Sequence, residues 1–347
     1  MVTAISWQSE PTPHIRLIDQ TLLPGREEYI AVSTVRELTD AIGSLAVRGA
    51  PALGAAGALG VVIALHQRAR EGWDEAELDR NIDLVRQARP TAVNLAWGVD
   101  QVRWAVEYGV DRVLELALDL IAEDGRANRE LSAKGADWIL AATGRERVRV
   151  ITHCNTGALA TTAWGTAYGI IHELHNRGNI DLVYADETRP LLQGSRLTSW
   201  ELVHDSIPHV IQVDGAASST ILRGLVDVAL IGADRITANG DSANKVGSVG
   251  LALACARAGI PFVVAAPSST VDLQTATGEL IEIEQRDPRE VLAFDTCTAA
   301  PSSATAFNPA FDVTPHDLIS AIVTERGVFE PAKAPDPNRL FEAVLRP

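Results

Sequence analysis

The chain has 347 residues, 46% hydrophobic and 22% charged, with a net charge of -15 and a pI near 5.0. That length predicts about two domains, because single hydrophobic cores stop growing before it, and the composition is that of a folded globular protein rather than a disordered one. The acidity excludes a general nucleic-acid surface, which needs a concentrated basic field, so any anionic ligand has to be met by a few local cations.

Residues 5–29 carry short apolar runs broken by Pro11, Pro13, Pro24 and Gly25, the pattern of a few strands or an extended arm. From about residue 34 to 142 apolar residues recur at three- and four-residue steps, which predicts a mainly helical N-terminal domain over 1–143. Its most apolar segment, 52–65, is too short to span a bilayer and reads as a buried helix, and the N-terminus lacks the basic-then-apolar order of a secretory signal. Three cysteines without paired spacing describe neither a disulfide framework nor a zinc site, so a reducing cytoplasm is the simplest setting.

Two stretches of this half, "AVRGAPALG" and "QARPTAVNLAWG", place Arg48 and Arg89 just before a helix start. Arg48, Gly49 and Ala50 then lie beside free backbone amides, with Pro51 expected at the first helical position. Gly49 falls at the turn, whereas Gly57 and Gly60 suit close helix packing. Each arginine alone is compatible with a capped surface loop. Together, with Thr91 and Asn94 near the second helix start, they can clamp an anion, phosphate above all.

After Gly144 the period changes. The runs "VRVITHC", "IDLVYADE", "HVIQVDG", "VDVALIGAD" and "PFVVAAP" alternate with helical stretches, which predicts a Rossmann-like, doubly wound parallel-sheet domain over 144–347. The runs finish on Cys154, on Asp186 and Glu187, on Asp214 and on Asp234, and ligands bind outside the carboxyl ends of such strands, so these residues are expected to converge on one crevice. A helix is expected to begin near Thr156, where its positive end would favour a Cys154 thiolate; equally, free cysteine is among the most commonly buried residues and can be an inert filler. Asp234 is followed by Arg235, with which it can pair. Beyond them, "ANGDSANKVGS" is expected to set Asn244 and Lys245 at another helix N-terminus, suited to a phosphate or a sugar hydroxyl. In "YADETRPLLQGSRLTSWEL" the residues Glu187, Arg189, Gln193, Arg196 and Thr198 are too polar to serve packing alone; some can form a structural network, and Gln193 beside Gly194 is best placed to bond a sugar hydroxyl. No metal site is expected, since the eight histidines are dispersed and the carboxylates lack ligand-like spacing.

Taken together, "VRGAPALG", "RPTAVNLAW", "THCNTGALAT", "YADETRPLLQGSRLTSWEL", "GADRITANGDSANKVGS", "GIPFVVAAPSSTVD" and "NPAFDVTPHDLISAIVTERG" resemble, in order over about residues 17–327, the methylthioribose-1-phosphate isomerases of methionine salvage, a family built on the initiation-factor-2B scaffold. The resemblance implies a helical N-terminal domain joined to a Rossmann-like one, a homodimer, and no metal or organic cofactor. It implies conversion of 5-methylthioribose 1-phosphate to 5-methylthioribulose 1-phosphate, with a sugar phosphate rather than a nucleic acid or a membrane as partner. Matched motif by motif, the catalytic pair would be Cys154 and Asp234, and the substrate contacts Arg48, Gly49, Ala50, Arg89, Gln193, Asn244 and Lys245.

An aldose phosphorylated on its anomeric oxygen cannot open spontaneously, so one group must protonate the ring oxygen and another must manage the hydrogen at C2. The expectation is Asp234 as the acid, held partly protonated in an apolar crevice, and Cys154 at C2, through a phosphoenolate or by assisting a direct hydride shift. Isomerases of 5-deoxyribose 1-phosphate and of ribose 1,5-bisphosphate are the alternatives, followed by the regulatory subunits that share the scaffold; retention of Cys154, Asp234 and "GDSANK" argues against the last. One departure from the family is Asp214-Gly215-Ala216-Ala217, where many members have Asp-Asn-Met. If these smaller side chains line the 5-substituent pocket they bear on substrate preference, at about 1–3 kcal/mol per apolar group.

Overall fold

In a computed structural model, residues 2–90, 92–294 and 297–341 are described; Thr91 lies outside them. They pack as two compact units, one within residues 2–129 together with Thr156–Gly165, the other of Glu130–Asn155 together with the described residues from 166 to 341. The division falls inside a long helix rather than after residue 143. That helix, Val110–Thr143, gives Val113 and Ala117 to the first core and Leu131, Ala136 and Ile139 to the second, so its apolar period carries no break at the point where the core changes.

The first unit opens with an antiparallel sheet of β1 (Ile5–Gln8), β2 (His14–Ile18) and β3 (Tyr29–Val32). Helices α1 (Val35–Gly43), α2 (Ala50–Glu71), α3 (Glu75–Gln87), α4 (Val93–Arg103) and the first part of α5 (Val110–Thr143) follow. Thr34 starts α1 with a capping box: its hydroxyl accepts the Glu37 amide while the Glu37 carboxylate accepts the Thr34 amide. Helix α2 is the centre of this core. It has the length and apolarity of a membrane span, but every residue from Ala52 to Ala64 is buried within the protein, as befits a core helix apolar all round. Glycines let α4 rest directly on it, since an added Cβ at Gly98 would run into the Gly54 carbonyl and one at Gly57 into that of Leu95.

The second unit contains β4 (Val148–Thr152), α6 (Ala167–Asn176), β5 (Ile180–Asp186), α7 (Ser199–His204), β6 (His209–Gln212), α8 (Ala217–Leu222), β7 (Val228–Ile231), β8 (Arg235–Thr237), β9 (Ser242–Lys245), α9 (Ser248–Ala258), β10 (Phe262–Ala265), β11 (Val271–Asp272), β12 (Ala293–Phe294), β13 (Cys297–Thr298), β14 (Phe311–Thr314), β15 (Ala321–Thr324) and β16 (Gly327–Phe329). Its main sheet runs β16-β15-β10-β7-β4-β5-β6, parallel throughout except for β16. Successive residues alternate between its faces: Val150, Leu230 and Val263 meet α6 and the end of α5, while Ile151, Ile231 and Val264 meet α8 and α9. This is the doubly wound arrangement expected from the aliphatic runs.

The chain fills the sheet from β4 outward through β5 to β6, then returns to lay β7, β10 and β15 on β4's other side. The strand order therefore reverses between β4 and β7, which are paired in parallel through Val150–Val228 and Ile151–Ala229. In such sheets the crevice for a ligand opens at the carboxyl ends of the strands flanking that reversal.

Candidate active site

Cys154 leaves β4 and Asp234 leaves β7, so the two residues sit at the carboxyl ends of the strands that flank the reversal. Cys154 is 7% exposed and has φ +67, in the left-handed region that a side chain other than glycine enters at a cost of about 1–3 kcal/mol. Threonine hydroxyls hold it there: its N–H donates to Thr188 Oγ1 at 2.9 Å, and its carbonyl accepts the Thr198 hydroxyl at 2.6 Å. The helix expected near Thr156 is absent. Residues 156–165 form irregular turns fixed within the first unit by Gln20 to the Leu159 carbonyl, by the Ala52 amide to the Ala160 carbonyl and by Thr162 to Asp124, and the next helix starts only at Ala167. No helix end follows Cys154 directly.

His153, beside the cysteine, is 2% exposed. Its Nδ1 lies 3.0 Å from Asp186 Oδ2 and its Nε2 2.8 Å from the Val246 carbonyl. The carbonyl can only accept, so Nε2 carries a proton, and the proton shared with Asp186 sits on the more basic imidazole. Burial opposes a charged ring, but Asp186, Asp214 and the Val246 carbonyl together outweigh it and hold the His153 pKa above its ordinary value. Burial in turn pushes Asp186 up, against the bonds from His153 and from Gln212 Nε2 at 2.8 Å. Asp214 accepts the amides of Thr188 and Arg189 at 2.7 and 2.6 Å and so closes the turn after β5. His153, Asp186 and Asp214 bring ligand-type atoms within 4.8 Å of one another. In this structure these atoms are engaged with one another and with the chain: Asp186 accepts Gln212 Nε2 and faces His153 Nδ1, and Asp214 accepts two backbone amides.

The other expected residues of the second unit are tied to this pair. The Asp234 amide donates to the Ala243 carbonyl at 2.9 Å, which sets half-buried Asp234 beside β9 and Asn244. Asn244 and Lys245 lie on β9, not on a helix; Asn244 Nδ2 donates to Ser248 Oγ at 3.0 Å. Lys245 Nζ donates to the Ala310 carbonyl at 2.9 Å and stands 4.9 Å over the Phe311 ring. The His153 bond to Val246 joins this segment to Cys154, and Gly247, at φ +112, makes that approach possible because a Cβ there would lie 2.9 Å from His153 Cε1. Helix α9 starts at Ser248, and the amides of its N-cap Gly247 and of Val249 donate to Asp312, whose own pKa burial pushes up.

Gln193 precedes a π-turn, Gly194–Thr198, in which the Ser199 amide reaches back to the Gly194 carbonyl. The side chain is 5% exposed and its Oε1 has no hydrogen-bond partner among the described residues, an unmet acceptor in a buried place. An added Cβ at Gly194 would strike the Asp186 carbonyl and lie 2.8 Å from Thr188 Oγ1, so the turn that carries Gln193 rests against the residues that hold Cys154. Arg235 reaches Asp272 at 3.8 Å.

In the first unit, Gly49 caps α2 at φ +94 and a Cβ there would enter the Ala160 backbone; Ala50 and Pro51 are the first two helical residues, so the proline falls one place later than expected. Arg89 precedes α4, whose Asn94 carbonyl lies 3.4 Å from where a Gly54 Cβ would stand. The α2–α4 crossing thus brings the starts of both helices, with Arg48 and Arg89, to one region of that unit. Sequence reasoning gave no role to His153, Asn155 or Thr188, and marked Thr198 only as part of a polar segment, some of which can form a structural network; the partners that fix His153, Asn155 and Thr198 lie tens of residues away.

A parallel sheet with a strained thiol and a carboxylate at its topological reversal defines a Rossmann-like α/β domain built to act on a small ligand. The initiation factor 2 subunit family model matches residues 46–331, and the chain belongs to that family. Among its relatives, the "Probable bifunctional methylthioribose-1-phosphate isomerase/methylthioribulose-1-phosphate dehydratase" of Nocardia farcinica is 49% identical over 330 residues, 95% of this chain but 60% of that one. The 5-deoxyribose 1-phosphate isomerase of Moorella thermoacetica is 46% identical over 95% of both chains, and the methylthioribose-1-phosphate isomerase of Gloeobacter violaceus 45% identical over 91% of both. The crystal structure of 5-methylthioribose 1-phosphate isomerase from Pyrococcus horikoshii superposes with a TM-score of 0.87 at 35% identity, covering 99% of this chain and 96% of that one. That of the translation initiation factor eIF-2B delta subunit from A. fulgidus gives 0.83 at 39% identity, covering 99% and 98%.

Proposed function

We propose that the protein is an aldose–ketose isomerase of methionine salvage that converts 5-methylthioribose 1-phosphate to 5-methylthioribulose 1-phosphate in the cytoplasm, as a homodimer. The observation that carries the reading is the placement of Cys154 and Asp234 at the carboxyl ends of the two strands flanking the sheet's reversal, in a chain matched over nearly its whole length by isomerases of this kind. Cys154 takes the proton from C2 of the sugar. The C–H electron pair forms the C1=C2 bond of a phosphoenolate as the bond from C1 to the ring oxygen breaks, and Asp234 gives its proton to that oxygen. The thiol then returns its proton to C1, and the 2-hydroxyl proton passes to Asp234 as the ketone forms. Gln193, Asn244, Lys245, Arg48, Gly49, Ala50 and Arg89 are the proposed substrate contacts. In the competing route, a hydride moves directly from C2 to C1 and no solvent deuterium is incorporated at C1.

A second reading, 5-deoxyribose 1-phosphate as substrate, is favoured by the Moorella relative, as similar as the others and matched end to end. Turnover of methylthioribose 1-phosphate, 5-deoxyribose 1-phosphate and ribose 1,5-bisphosphate, compared as kcat/KM, decides between them; no turnover of any refutes the isomerase reading and favours a regulatory subunit. Cys154→Ser and Asp234→Asn should each lower kcat by at least about 100-fold, the scale of losing a general acid or base. Near-normal activity in either removes that residue from the chemistry.

A further inference from the structure

We infer that Thr198 and Thr188 are positioning residues for the Cys154 thiol, and that the π-turn carrying Thr198 fixes that thiol relative to Gln193; this rests on the catalytic role proposed for Cys154. The polarity of the clamp is determined. The one proton of the Thr188 hydroxyl goes to the Asp186 carbonyl at 3.0 Å, so toward the Cys154 amide it can only accept. The Thr198 proton goes to the Cys154 carbonyl, and Thr198 Oγ1 itself accepts from Asn155 Nδ2 at 3.3 Å, while that amide group also donates to buried Glu201 at 2.6 Å. Thr188 is itself fully buried at φ +64, a rare place for a β-branched residue, and is held there by Asp214.

The direction of the Thr198 bond separates this role from ordinary packing. Hydroxyls in helices usually turn back to the carbonyl four residues earlier, as Thr143 does to Ile139 and Ser199 to Ser195. Thr198 instead crosses to a residue 44 positions away, and the carbonyl four places before it, that of Gly194, is occupied by the Ser199 amide through the π-turn. Such turns concentrate at functional sites. Because φ sets the direction of the Cα–Cβ bond, relaxation of Cys154 from +67° to an ordinary negative value would swing its sulfur to another side of the strand end. The two hydroxyls oppose that relaxation.

The test compares Thr198→Val, which keeps the shape and loses the hydroxyl, with Thr198→Ser, which keeps the hydroxyl, and with Cys154→Ala. Two readouts are taken: steady-state kinetics on methylthioribose 1-phosphate, and the rate of Cys154 alkylation by iodoacetamide, followed on its own peptide because Cys297 is exposed. Thr198→Val should lower kcat about 10- to 100-fold with KM changed less than about threefold, and should alter the alkylation rate, while Thr198→Ser stays within about threefold of the parent on every measure. If Thr198→Val does not fold, Thr198→Ala, whose vacated space admits a water to both former partners, carries the same test. A near-normal kcat and alkylation rate without the hydroxyl, in a protein that Cys154→Ala inactivates, overturns the clamp. An active Cys154→Ala instead overturns the reading beneath it.

Discussion

Asp186→Asn tests the buried charge behind the thiol. The substitution keeps size and removes the carboxylate that faces His153 Nδ1 at 3.0 Å, in a place where ring and carboxylate are 2% and 1% exposed. Taking one partner from a buried ion pair costs about 3–5 kcal/mol while the other stays charged. Here the ring can escape by losing its proton, so the cost depends on pH. In the parent the His153 pKa is raised, so the pair's contribution is complete below the unfolded value, about 6.5, and is lost as pH rises through the higher folded value. In the variant burial, the largest influence on the ring, is opposed only by Asp214 and the Val246 carbonyl, so the folded ring loses its proton at lower pH than in the parent and stability falls less over that interval. The gap between the two proteins should therefore be about 3–5 kcal/mol near pH 6 and close by up to about 1.4 kcal/mol per pH unit until the parent's ring is also neutral. Urea unfolding at pH 6, 7, 8 and 9, followed by fluorescence of Trp138 and Trp200 in the second unit, measures it. A gap that does not change with pH, or one below about 0.5 kcal/mol at pH 6, refutes the buried imidazolium.

Two further perturbations probe the scaffold. Gly98→Ala drives a methyl group into the Gly54 carbonyl at the α2–α4 crossing and should cost about 1–3 kcal/mol, read as a fall in Tm by calorimetry; an unchanged Tm would mean the helices can part freely. Asp227 accepts the Arg149 amide, Nε and Nη2 at 2.8, 3.0 and 2.8 Å, and although burial opposes its charge these bonds hold its pKa below the usual carboxylate range. Its contribution is present above about pH 3.9 and lost as pH falls through the lower folded value, so Asp227→Ala should unfold earlier in an acid titration followed by circular dichroism, and an unshifted titration would count against the clamp.

The sheet was legible because parallel strands buried on both faces are continuous aliphatic runs, and the strand ends then marked Cys154 and Asp234 by position alone. Local pattern misled where the partner is distant. The stretch after Cys154 has the composition of a helix, yet its turns are fixed by Gln20, Ala52 and Asp124, none of them a neighbour in sequence. "SANK" has the polarity of a loop, and it is a strand because Phe311–Thr314 pairs with it. His153 was unreadable for the same reason, since the carbonyl that fixes its protonation lies 93 residues on. Glycine 247 was the one local signal, and its meaning needs the imidazole it makes room for.

Under the proposed function Cys154 is a reagent and Cys255 a filler, and the two buried cysteines differ in how their positions are fixed. Cys255 is fully buried on α9, against the sheet, and burial pushes its thiol pKa up to about 12, which leaves it protonated and unreactive at any physiological pH. Cys154 is also buried by area, so exposure does not distinguish them. The backbone does: Cys255 lies within a regular helix, whereas Cys154 stands in a left-handed conformation at a strand end, with its amide and carbonyl taken by side chains from two later segments. A filler requires nothing of that kind, because packing fixes its position. A thiol whose direction matters has to be held by its own backbone, and the strain of doing so persists only where the surrounding bonds over-determine it.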